Sequence, residues 1–104
     1  MEKIVEQGLL YDFYGELLTE HQRQIYEDAV FQDMSLSELA KEHGISRQGI
    51  HDLIKRCDRQ LRAYEDKLGL LARFSHIKKM VEEIESKTSQ EEIRNLAAKI
   101  LEEL

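Results

Sequence analysis

Apolar residues return along this chain at intervals of three and four, the spacing that gives a helix one core-facing stripe. Ile4, Leu10, Phe13, Tyr14, Leu17 and Leu18 make the first such stripe, and predict a helix from about Lys3 to Leu18. Thr19 then reads as an N-cap, with Gln22 placed three residues on to complete a capping box. The helix it opens carries Ile25, Ala29 and Val30 or Phe31 inward and is expected to end near Asp33. The pattern restarts at "MSLSELAKEHG", where Ser35 is the cap, Glu38 its partner, and Met34 a hydrophobic staple for Leu39. Gly44 supplies the left-handed residue that ends a helix without steric cost.

Ser46 caps the next segment, which meets no stop signal before Gly69. A long helix from Arg47 to Leu68 follows, with Ile50, Leu53, Ile54, Cys57, Leu61, Tyr64 and Leu68 along one seam. Beyond Gly69, "LLARFSHIKKMVEEIESK" predicts a helix burying Leu70, Phe74, Ile77, Val81 and Ile84. "TSQEEIRNLAAKIL" predicts another, capped at Thr88 or at Ser89 with Glu92 as its capping-box partner, burying Ile93, Leu96, Ala97, Ile100 and Leu101. The expected fold is all-α: one domain over residues 1–104, with a core at 1–68 and a C-terminal helical pair at 69–104.

Composition supports the helices and narrows the setting. The 104 residues include no proline and 5 glycines, so little interrupts a helix. At 41% hydrophobic and 35% charged, the chain has a modest core under a heavily solvated surface. The single cysteine, Cys57, cannot form an intramolecular disulfide, and its place on the apolar seam makes it a buried thiol. The N-terminus lacks the basic start and cleavage site of a signal peptide, and no apolar run is long enough to span a bilayer. A cytoplasmic protein is expected.

Charge changes the picture again. The formal net charge is −6, yet residues 46–68 hold Arg47, Lys55, Arg56, Arg59, Arg62 and Lys67 against only Asp52, Asp58, Glu65 and Asp66. Residues 19–45 are the reverse, with Glu20, Glu27, Asp28, Asp33, Glu38 and Glu42 against Arg23 and Lys41. The basic segment is also where a helix-turn-helix pattern falls. Ala40 is small enough for a second helix to cross, Gly44 tolerates φ > 0 in the turn, and Leu39, Ile45, Ile50 and Leu53 form the small core.

The side chains opposite that core are candidates for a nucleic-acid groove. Arg47, Gln48, His51, Asp52 and Lys55 lie on the second helix, whose N-terminal residues reach base edges in such motifs. Arginine suits guanine and glutamine suits adenine by groove geometry. Gly49 leaves room for close backbone approach, and Ser46 with the helix N-terminus can hold a phosphate. Lys55, Arg56, Arg59 and Arg62 can serve phosphates without reading sequence, although Arg59 and Arg62 can instead pair with acids such as Asp58 or Asp66.

Other chemistry finds little foothold. His21, His43, His51 and His76 have no ligand spacing with one another or with Cys57, so no metal site is expected. No nucleophile with a base, no glycine-rich phosphate loop and no paired catalytic carboxylates stand out, so neither an enzyme, a cofactor nor a small-molecule substrate is expected. Glu82, Glu83 and Glu85 read as a solvated face.

"LTEHQRQIYEDAVFQDMSLSELAKEHGISRQGIHDLIKRCDRQL", residues 18–61, resembles region 4 of the bacterial sigma-70 factors, chiefly in "LTE.Q" and "SLSELAKEHGISRQGI". That resemblance implies base-facing roles for Arg47, Gln48, His51 and Asp52, while Gly49 and Asp52 depart from the more basic character of sigma factors there. From about residue 5 onward the chain is similar to the YlxM-like family of small helix-turn-helix proteins of Gram-positive bacteria, most specifically in "LYDFYGELLTEHQ". This second resemblance implies a DNA-binding regulator linked to the signal recognition particle pathway, without cofactor or catalytic residues.

The expectation is therefore a regulatory nucleic-acid binder, DNA favoured over RNA, using Ser46, Arg47, Gln48, His51, Lys55, Arg56 and Arg59. The alternative is an adaptor whose acidic 19–45 surface docks on a signal recognition particle component. A homodimer fits either, with Met80 and Leu104 facing the partner.

Overall fold

The computed structural model describes residues 2–104, which form helices and no strand. They divide after Leu68 into two compact units.

The first unit holds α1 (Lys3–Tyr14), a 3-10 turn (Gly15–Leu17), α2 (Glu20–Val30), α3 (Leu36–His43) and α4 (Arg47–Leu68). Both predicted capping boxes form: the Thr19 hydroxyl oxygen accepts the Gln22 N–H, and that of Ser35 accepts the Glu38 N–H, with the side chains answering in return. Gly44 ends α3 at φ 66. At Ser46, Oγ accepts the Gly49 N–H at 3.0 Å and so caps α4. The helices α1, α2 and α3 all pack on α4. Ile25, Leu39 and Ile50 form the centre of the helix-turn-helix core, with Ala29, Met34, Ala40, Ile45, Leu53 and Ile54 packed around it.

The first helix ends earlier than expected. At Tyr14 the backbone leaves helical geometry (φ −122, ψ −2), and the chain tightens so that the Leu18 N–H reaches the Gly15 carbonyl at 3.1 Å. This turn buries Tyr14, Gly15 and Leu18 together. A side chain at Gly15 would put its Cβ 2.8 Å from the Tyr11 ring, so the glycine is what lets the turn close. Ile4 and Leu17, expected inward, are exposed. The second helix stops at Val30 rather than near Asp33, which itself adopts a positive φ of 51. Phe31 is half exposed and meets the Tyr11 ring edge-on.

Buried polar groups tie α1 and α2 to α4. Tyr26, fully buried, donates to Asp58 Oδ1 at 2.6 Å, and Gln7 donates to the same oxygen at 2.9 Å. Tyr14 donates to Glu65 Oε1 at 2.6 Å, and Gln22 donates to Gln60 at 2.8 Å. Each bond joins residues more than 30 positions apart, so the first unit is held as one piece by satisfied polar groups as well as apolar packing.

The second unit is a hairpin of α5 (Leu70–Lys87) and α6 (Glu91–Glu103) joined by residues 88–90. A link that short makes the helices antiparallel neighbours. Gly69, at φ 63, begins α5 in the left-handed conformation. Here burial is much sparser than the apolar stripes imply. Only Leu71, Val81 and Ala97 are buried among residues 70–104, while Leu70, Ile84, Ile93, Leu96 and Ile100 are exposed, as is Leu68 at the end of α4. A two-helix pair offers each helix only one narrow seam to bury. The expected Ser89 capping box does not form either: α6 begins after Gln90. Thr88 takes the local bonds instead, its Oγ1 accepting the Gln90 N–H at 3.1 Å and its carbonyl accepting from Arg94 at 2.8 Å.

Candidate nucleic-acid interface

The turn between α3 and α4 is built from four adjacent choices. His43 ends α3 and binds Asp28 of α2 at 3.0 Å, which fastens the turn to the helix behind it. Gly44 reverses the chain, the Ile45 N–H returns to the Ala40 carbonyl at 3.1 Å, and Ser46 starts α4. Gly49 has a packing role: a Cβ there would lie 2.7 Å from the Ile45 methyl and 3.1 Å from Ser46 Oγ. The close approach it permits is to the chain's own turn.

With that turn fixed, Ile50, Leu53, Ile54 and Cys57 face inward, while Ser46, Arg47, Gln48, His51, Asp52, Lys55, Arg56 and Arg59 are all exposed. At 3.6 residues per turn Gln48, His51, Asp52, Lys55 and Arg59 share one face of α4. Arg47 stands at one flank of it and Arg56 at the other. Ser46 Oγ spends a lone pair on the Gly49 N–H and keeps its hydroxyl proton for an anion.

Contacts on and beside this face redraw its charge. Gln48 donates to Asp52 Oδ1 at 2.9 Å, and His51 Nδ1 stands 3.7 Å from the same oxygen. The acid thus engages two of the base-reading candidates. Arg62 pairs with Glu6 of α1, which takes it out of the phosphate track, and Asp58 serves Gln7 and Tyr26 instead of the arginines on its own helix. Lys3 then adds what the sequence reading missed. Its ammonium stands beside Lys55 and pulls the Lys55 pKa below its ordinary value. Lys3 also lines, with Arg59 and Arg62, a groove of about 490 Å³ between α1 and α4. Fifty-two positions separate Lys3 from Lys55, and no local pattern announces a contact made only by α1 crossing α4.

The acidic side is less available than its composition suggests. Glu27 accepts from Tyr11, Asp28 binds His43, and Glu38 completes the Ser35 cap. The cap's backbone bond holds the Glu38 carboxyl below its ordinary pKa. Among the described residues no helix is long and apolar enough to cross a membrane, and no three histidines, cysteines or carboxylates gather as a metal site.

Comparison with known proteins adds relatives to this geometry. A family model described as "Putative helix-turn-helix protein, YlxM / p13 like" matches residues 1–100. A UPF0122 protein of Caldanaerobacter subterraneus subsp. tengcongensis is 47% identical over 76 residues, spanning 73% of this chain and 65% of that protein. A UPF0122 protein of Clostridium botulinum is 46% identical over 93 residues, spanning 86% and 85%. Another, from a Thermoanaerobacter species, is 41% identical over 103 residues, spanning 92% and 88%.

Proposed function

Because the chain belongs to the YlxM/p13-like family of helix-turn-helix proteins, we propose that it binds duplex DNA through the exposed face of α4 and acts as a regulatory DNA-binding protein. The observation that carries this reading is the division of α4. Its inward residues are used by the core, while its cap and first four turns expose Ser46, Arg47, Gln48, His51, Lys55, Arg56 and Arg59. In this reading α4 enters the major groove by its N-terminal end. Arg47, Gln48 and His51 meet base edges, and Ser46 with the helix start receives a phosphate. Lys55, Arg56 and Arg59, joined by Lys3, follow the backbone.

The formal charge of −6 does not oppose this reading, because phosphate attraction depends on local charge within about a Debye length, near 10 Å at 0.1 M salt. The test is fluorescence anisotropy of the full chain on duplex DNA and on RNA across a salt series. Affinity should fall with salt at a slope of several counterions, and DNA should bind more tightly than RNA. Arg47→Ala should lose about 1 to 3 kcal/mol of discrimination between sequences, and Lys55→Ala should weaken every sequence alike. A flat salt response, or no binding at low salt, overturns the reading.

A further inference from the structure

Asp52 shares the α4 face of Gln48 and His51 but is their chemical opposite. A carboxylate only accepts hydrogen bonds, and its charge is repelled by phosphates. Its setting is nonetheless an ordered one. Oδ1 accepts the Gln48 amide at 2.9 Å and has His51 Nδ1 at 3.7 Å, while 60% of the side chain stays open to solvent. The second oxygen, Oδ2, is engaged by neither neighbour.

We propose that Asp52 is the specificity-determining residue of this interface and that, with Gln48, it selects a cytosine paired to guanine, a role that rests on the DNA-binding reading of α4. Among the groups that bases present in the major groove, only cytosine N4 and adenine N6 donate hydrogen bonds. Guanine O6 and thymine O4, in the corresponding places, are acceptors and repel a carboxylate. The two amino groups differ in their neighbours. Adenine N6 lies between its own N7 and the O4 of thymine, an acceptor on each side. Cytosine N4 has an acceptor on one side only, the O6 of its guanine. The carboxylate therefore meets least repulsion at cytosine.

Gln48 supplies the complement. Its bond to Asp52 takes up one amide N–H, and the other is left for an acceptor such as the guanine O6 beside cytosine N4. The two side chains stand four residues apart on α4 and meet at 2.9 Å. That is within the roughly 3.4 Å between stacked bases, so they address one base pair or two neighbours. The Asp52 charge costs affinity on every sequence, because phosphates are the same in all of them. The bond to cytosine offsets that cost on one sequence alone, which is how a repulsive group produces choice.

The test is to sequence the duplexes that the full chain retains from a randomised pool, for the original and for two Asp52 variants. The original should enrich cytosine, with guanine opposite, at one position by roughly tenfold over guanine or thymine. Asp52→Ala should hold arbitrary duplexes more tightly while losing the preference at that position alone. Asp52→Asn, which gains a donor, should move the preference there toward adenine. Circular dichroism should show the helices retained in both variants. If duplexes are retained but neither variant changes the choice at any position, or both change it at every position, the role of Asp52 is overturned and DNA binding stands. If the original retains no duplex at low salt, DNA binding itself fails and the role of Asp52 falls with it.

Discussion

Asp52 and Cys57 show how much a single residue's surroundings decide. The Asp52 carboxylate holds the Gln48 amide at 2.9 Å, which takes up one of its two N–H donors and fixes the direction of the other. Asp52→Ala should therefore tighten DNA binding severalfold and steepen its salt dependence, read by the same anisotropy titration, because it removes a competitor and a like charge from the groove face. Burial lifts the Cys57 thiol to about 11, and the Asp58 charge adds to the effect. The unfolded chain gives up this proton near ~8.5, whereas the folded chain keeps it. The contribution to stability is complete below that pH and is lost as pH rises toward 11. Thermal melts should fall progressively from pH 8.5 to 10.5, and the fall should be shallower in Cys57→Ala. Cys57 as core and Arg47, Gln48 and His51 as exposed were legible from their phase on α4. Tyr26 was not, because its buried ring is paired with an oxygen, Asp58 Oδ1, that lies 32 residues away. Removing that oxygen by Asp58→Ala should cost about 1 to 3 kcal/mol in urea denaturation, the penalty for leaving a buried hydroxyl unpaired.

Elements were legible where their ends are set by local bonds. The boxes at Thr19 and Ser35, the left-handed Gly44 and the cap at Ser46 are decided within four residues, and each formed where the spacing placed it. The Ser89 box failed because Thr88 and Arg94 bind the same short link first. Ser35→Ala should accordingly cost about 1 kcal/mol of stability, while Ser89→Ala should change it by less than about 0.5 kcal/mol, both measured by chemical denaturation. Gly49 makes the opposite point. Alanine is the better helix former by about 1 kcal/mol, but the branched Ile45 cannot swing a terminal carbon out of the way of a Cβ at 2.7 Å. Gly49→Ala should be a net loss of about 1 to 2 kcal/mol in the same assay. Where apolar periodicity alone carried the expectation, as along α5 and α6, it overstated burial, because period says which face is apolar and not what lies opposite.

At the scale of the whole molecule, the two units distribute these features differently. In residues 2–68 the polar bonds to α4 join distant segments, so α1, α2 and α4 should lose their structure together. The helix-turn-helix and its phase were legible because a three-helix core leaves a strong periodic trace; the place of Lys3 beside Lys55 was not, since it depends on where α1 crosses α4. Cys57 sits at the middle of that arrangement, fully buried and the only cysteine in the chain. It therefore works as an internal clock. A thiol reagent can reach it only in molecules whose α4 has come away from α1 and α2, so the labelling rate counts openings of α4 from its core side. Bound DNA should slow that clock in proportion to how tightly it holds α4, and the unmodified protein reports it without an added probe.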